Sequence, residues 1–163
     1  GFDRNLIISG RDAFILSLNW KIHGFCLCDA KLMKSEPFDE GSFNSDEYIT
    51  RKNFLHSNKV AFSNGIFFYN NDNPNAITKR FKFHTITSLL TDQRLIELMK
   101  MSNIDKYIQF KYILKSCARM IYHYFRWKKK NSKNTAQNMI ANELFKAHLI
   151  FIITELKINI KSI

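Results

Sequence analysis

Two carboxylates and a lysine are the residues in this chain best suited to chemistry. Asp29-Ala30-Lys31 closes the apolar run from Gly24 to Cys28, and Asp12 stands just before another apolar run, Ala13 to Leu18. If both runs are strands, a side-chain period of two puts Asp29 and Lys31 on one face. An antiparallel hairpin between the runs then brings Asp12 beside Asp29. Two adjacent carboxylates, with the Ala30 carbonyl as a third oxygen, are hard ligands suited to Mg²⁺. A lysine next to such an ion would orient an attacking water or stabilise charge building on a phosphate. The expected catalytic set is therefore Asp12, Asp29 and Lys31, and the expected metal set Asp12, Asp29 and Ala30. His23 falls in phase with them on the same strand. The competing reading is a solvated pair of charges at a strand end.

The elements that must position these residues fall into two halves. Leu6 to Ile8, Ala13 to Leu18 and Ile22 to Ala30 read as short strands, the last two as a hairpin. Ser45 or Asp46 is placed to cap a helix over about 47–57. Val60 to Ser63 and Ile66 to Tyr69 flank Asn64-Gly65, the dipeptide favoured by a two-residue type I′ turn, and Arg80 to Ile86 reads as a further strand. From about Thr91 the apolar period changes from two to 3.6. Helices are expected over 92–101, 104–130 and 135–157, with Ile104, Ile108, Leu114, Cys117, Ile121 and Phe125 near one face of the long one. The fold class is thus α+β: an antiparallel or mixed sheet with hairpins and one helix, then about three helices. The expected division is a sheet-rich portion, 1–90, and a basic helical portion, 91–163.

The Asp12 and Asp29-x-Lys31 pattern resembles the PD-(D/E)XK nuclease superfamily, over about residues 6–57. The resemblance implies a metal-dependent phosphodiesterase in which the two aspartates hold the ion and Lys31 assists hydrolysis. The chain departs from the family pattern at Arg11, where the family has proline. The room before Leu6 is also too short for the family's N-terminal helix.

A second candidate lies on the long helix. Lys111, Lys115, Arg119, His123, Arg126 and Lys130 recur in steps of three and four, which keeps them on one drifting face. Lys128, Lys129 and Lys133 extend the positive end, and Tyr112, Tyr122 and Trp127 offer flat surfaces for stacking. Such a stripe would track phosphates without reading sequence. The alternative is a solvated helix face, its last cations helped by the helix dipole.

Charge distribution favours the first. The 163 residues carry a formal net charge of +11, of which +9 falls in 104–163 and +2 in the rest. Nucleic acid is the expected partner, with an anionic membrane or a protein partner, as for a viral or pathogen interaction module, as alternatives. No apolar run reaches the roughly 18 residues that span a bilayer. Cys26, Cys28 and Cys117 make neither a disulfide framework nor a zinc signature. Buried, reduced thiols in a cytosolic or nuclear compartment, including a host cell's, are the expectation. The chain starts at Gly1 rather than Met and reads as an excised or processed fragment.

Overall fold

The computed structural model describes residues 5–23, 26–35, 41–66, 68, 72, 82–130 and 135–160. The fold is α+β, with seven helices and one two-stranded antiparallel sheet among the described residues. The chain forms two compact units, Gly1–Asp39 with Ser45–Phe81, and Glu40–Asn44 with Lys82–Ile163. The division near residue 81 falls nine residues before the change of period.

In the first unit, β1 (Ile7–Ser9) pairs with β2 (Lys59–Ala61), in the register Ile7↔Ala61, Ile8↔Val60 and Ser9↔Lys59. The expected strand Ala13 to Leu18 is instead α1 (Gly10–Leu18). A short apolar run suits a buried helix as well as a strand, and the caps decide. Ser9 Oγ accepts from the Asp12 amide at 3.1 Å and donates to Asp12 Oδ2 at 2.6 Å. This reciprocal capping stabilises the first turn. At the other end the Trp20 amide donates to the Ser17 carbonyl and the Lys21 amide to that of Leu16, a Schellman closure. Trp20 takes the left-handed position there, with φ 58°, where a glycine would be unstrained.

The second expected strand, Ile22 to Ala30, is not formed among its described residues; α2 (Ala30–Ser35) begins at its end. The anticipated helix near 47–57 is α3 (Ser45–His56). Gly10 lets α1 meet the end of α3: a Cβ there would run into the carbonyl oxygens of Phe54 and Ser57. The core of this unit is Ala13, Phe14, Leu18, Ile22, Ile49 and Phe54, all buried. The Asn64-Gly65 turn is also corrected. Neither residue has positive φ, which a type I′ turn requires, and β2 pairs with β1 instead of across that dipeptide. Phe67 and Tyr69, and the polar tract 70–75 apart from Asp72, lie outside the described residues.

The second unit contains α4 (Phe83–Ile86), α5 (Ser88–Met101), α6 (Lys106–Lys130) and α7 (Thr135–Ile160). The strand expected over Arg80 to Ile86 gives way to α4 from Phe83, with only Lys82 extended among its described residues. The segment 41–44 is tied to the α4–α5 junction: the Phe43 amide donates to Thr87 Oγ1 at 2.8 Å, and Thr91 Oγ1 donates to the Phe43 carbonyl at 2.9 Å. Asn103 (φ 49°) closes α5, with the Ile104 amide on the Met99 carbonyl at 2.9 Å. Asp105 then starts α6, its Oδ1 accepting from the amides of Tyr107 and Ile108 at 2.9 and 3.2 Å.

Candidate functional site

The acidic hairpin is replaced by two helix starts. Asp12 lies in the first turn of α1, bonded to Ser9. Asp29 caps α2: its Oδ1 accepts from the Lys31 amide at 2.8 Å, and its carbonyl from the amides of Leu32 and Met33. Lys31 and Ala30 therefore occupy the first turn of a helix, where residues two apart do not share a face. Each aspartate serves the helix it precedes or opens: Asp29 satisfies an amide that lacks an intrahelical partner, and Asp12 holds the hydroxyl of Ser9, which caps α1. Among the described residues no group of three or more His, Cys, Asp or Glu side chains is placed to hold a metal ion. The Ser9-x-x-Asp12 spacing was the available signal for this arrangement, since it marks a helix start as plainly as Ala13 to Leu18 suggests a strand.

The first unit carries a cleft of about 380 Å³, whose walls include Trp20, His23, Cys26, Cys28, Met33 and Arg51. Arg51 is buried and braces it. Its guanidinium pairs with Glu47, donates to the Ser17 carbonyl at 3.2 Å and stacks over the Trp20 ring at 5.5 Å. That stacking accounts for a tryptophan at a position favouring glycine. The cysteines are not the buried thiols expected: Cys26 and Cys28 are exposed, with their Sγ atoms 3.2 Å apart, and Cys117 is half-buried.

The second unit holds the densest polar network. Asp92, 1% exposed, accepts from Tyr112 Oη at 3.0 Å, Ser116 Oγ at 2.9 Å and Arg119 Nη1 at 2.7 Å. Ser116 Oγ also lies 3.0 Å from His148 Nε2. A hydroxyl has one proton, and Asp92 takes it, so the His148 Nε2–H donates to Ser116 and Nδ1 carries the lone pair. Nδ1 is buried without a partner. Burial, with the Arg119 charge adding to it, pushes His148 down from 6.5 to about 4, so the ring is neutral at pH 7. An aspartate, a serine and a histidine together suggest a hydrolase, but the order is wrong. In a hydrolytic triad the carboxylate holds the histidine and the histidine activates the serine. Here the serine is bonded to the carboxylate and is fully buried. The cluster ties α5, α6 and α7 together.

This network redistributes the basic stripe. Lys111, Lys115, Arg126, Lys128, Lys129 and Lys130 are exposed on α6, whereas Arg119 is drawn onto Asp92 and His123 is buried. Burial first, then Arg119 and Arg126, hold His123 down at about 4. Lys133 lies outside the described residues. The face anticipated as apolar is divided: Ile104 is buried and Ile108 and Cys117 are half-buried, but Leu114, Ile121 and Phe125 are exposed, and Gln109, Tyr112, Ile113, Ser116, Met120, His123 and Trp127 point inward. Three cations lie over aromatic rings of the same helix, Lys111 over Tyr107 (4.1 Å), Arg126 over Tyr122 (5.7 Å) and Lys128 over Tyr124 (5.5 Å). No helix in the described residues is long and apolar enough to cross a membrane. Compared with known protein families, curated proteins and solved structures, the chain shows no significant match to any.

Proposed function

We propose that this chain is a non-catalytic nucleic-acid-binding module whose contact surface is the exposed side of α6. The observation that carries the reading is the composition of that helix: its 25 residues include eight Lys or Arg and no Asp or Glu. One of the eight, Arg119, meets an internal counter-charge at Asp92. Seven remain exposed along a helix roughly 37 Å long. Like charges three and four residues apart repel, and a polyanion removes that cost while releasing its counterions. The exposed rings of Tyr107, Tyr122 and Tyr124 add surfaces for stacking between phosphate contacts.

A lipid surface fits less well. A helix lying in a bilayer interface needs its apolar face outward and separate from its cations. The main packing face of α6 points into the core, and the outward apolar residues alternate with lysines and arginines. A protein partner is favoured by one observation, the exposed Leu114, Ile121 and Phe125 at 46, 47 and 67%.

Fluorescence anisotropy with labelled single- and double-stranded oligonucleotides tests the proposal. Affinity should fall with salt, with a log–log slope of roughly −3 to −5 for four to six phosphate contacts. Lys111→Glu, Lys128→Glu and Lys129→Glu together should weaken binding more than about tenfold while leaving the melting temperature unchanged. Absence of salt-sensitive binding at low ionic strength refutes the reading. So does equal affinity for vesicles of anionic lipid, which transfers the surface to membranes.

A further inference from the structure

The cleft of the first unit points to a chemistry separate from α6. We propose that Cys26 and Cys28 are a thiol–disulfide exchange site that closes to a Cys26–Cys28 disulfide by reducing a small-molecule disulfide.

The geometry supplies the argument. The two sulfurs lie 3.2 Å apart, and a disulfide needs about 2.05 Å, so closure moves them by about an ångström. Both residues are exposed, and both line the cleft with Trp20, His23 and Met33, so a small disulfide has access and a wall to lie against. Cys117 sits half-buried on α6, in the other unit. On the extended strand expected from the sequence, this pair would merely share a face; here the chain turns toward the Asp29 cap and brings the thiols into contact. A loop closed over one intervening residue is strained, and strained, exposed disulfides are readily reduced again by small thiols. The site is therefore suited to reversible exchange and not to a permanent cross-link.

The exchange runs in two displacements. The Cys28 thiolate attacks one sulfur of the small disulfide RSSR, forming Cys28–S–S–R and expelling RS⁻, which takes up a proton. Cys26 then loses its proton and attacks Cys28 Sγ, closing the protein disulfide and expelling the second RS⁻, which is also protonated. Two protein thiols are oxidised and one RSSR becomes two RSH. The order follows from the sulfur of Cys26, which, on an otherwise exposed residue, is partly desolvated in the cleft and hydrogen-bonded to Cys28, and these push its thiol up to about 12. Cys26 keeps its proton while Cys28 acts first.

The test uses the reduced full chain, oxidised glutathione, acid quenching, alkylation and peptide mass mapping. The wild type should lose two hydrogens within the Cys26–Cys28 peptide and carry no lasting glutathionyl group there. Cys26→Ser should stop at a glutathionyl adduct on Cys28, and Cys28→Ser should react more slowly, at Cys26. Loop closure should be about tenfold or more faster in the folded chain than in urea, because folding sets the contact. A stable wild-type adduct on either cysteine overturns the proposal, as does closure at equal rates in folded and urea-unfolded chains. Circular dichroism of both serine variants confirms that the exposed positions leave the fold intact.

Discussion

Mild acid should weaken the helical unit, and His148→Gln should remove about half of the loss. The imidazole of His148 is 1% exposed, its Nε2–H donates to Ser116, and its Nδ1 has no partner to share a proton. The folded protein resists protonation down to about pH 4, while the unfolded chain accepts the proton near 6.5. Below pH 6.5 the unfolded state therefore binds more protons. Stability is complete above that pH and declines as pH falls toward 4. Between pH 7 and pH 5 the loss is about 2 kcal/mol from His148, and about as much again from His123. The window stays above the ordinary carboxylate range. Glutamine keeps a donor near the position of Nε2 and cannot be charged. Urea titrations at pH 7, 6 and 5 measure the effect, followed by Trp127 fluorescence in a Trp20→Phe background so that the second unit alone reports. The wild type should lose about 4 kcal/mol across the window and His148→Gln about 2. Parallel wild-type and variant curves would refute the reasoning, as would an NMR titration placing the folded His148 near 6.5.

Three further outcomes follow from the packing. Asp92→Asn should cost about 3–5 kcal/mol, because Arg119 is left without its counter-charge; adding Arg119→Met should recover part of that in thermal melts. Gly10→Ala should destabilise the first unit by about 1–3 kcal/mol or more, read by urea titration, since the Phe54 and Ser57 carbonyls at the end of α3 occupy the space a Cβ needs. Asp29→Ala should cost about 1 kcal/mol as a lost helix cap, and Asp12→Ala about 0.5 kcal/mol through the lost bond to the Ser9 cap and the lost first-turn charge, both read by urea titration. Millimolar Mg²⁺ should leave the melting temperatures of wild type and both variants unchanged, and a Mg²⁺-dependent rise abolished by either substitution would restore the metal reading.

Much of the helical half was legible. The period of 3.6 after Thr91 is a local property, and α5 to α7 follow it within a few residues. Helix faces were harder to assign, because the rows on α6 are mixed. Leu114, Ile121 and Phe125 are as apolar as any core, yet Tyr112 and Ser116 point inward because Asp92 and His148 await them from α5 and α7. Sequence periodicity locates faces but cannot say which polar residues will find buried partners. In the first half, Ala13 to Leu18 was ambiguous by hydrophobicity alone, and the Ser9–Asp12 cap settled it.

By itself, then, the sequence determined the α+β class, the long basic helix and the concentration of charge in the last third, since these depend on composition and local periodicity. Tertiary structure decided that Arg119 leaves the basic stripe for Asp92, that Ser116 is held between Asp92 and His148, and that Cys26 and Cys28 line a cleft with Trp20 and Arg51. Those outcomes depend on which side chains meet through space. A buried carboxylate must recruit its donors from other elements, and nothing in the order of residues along the chain states where they will come from.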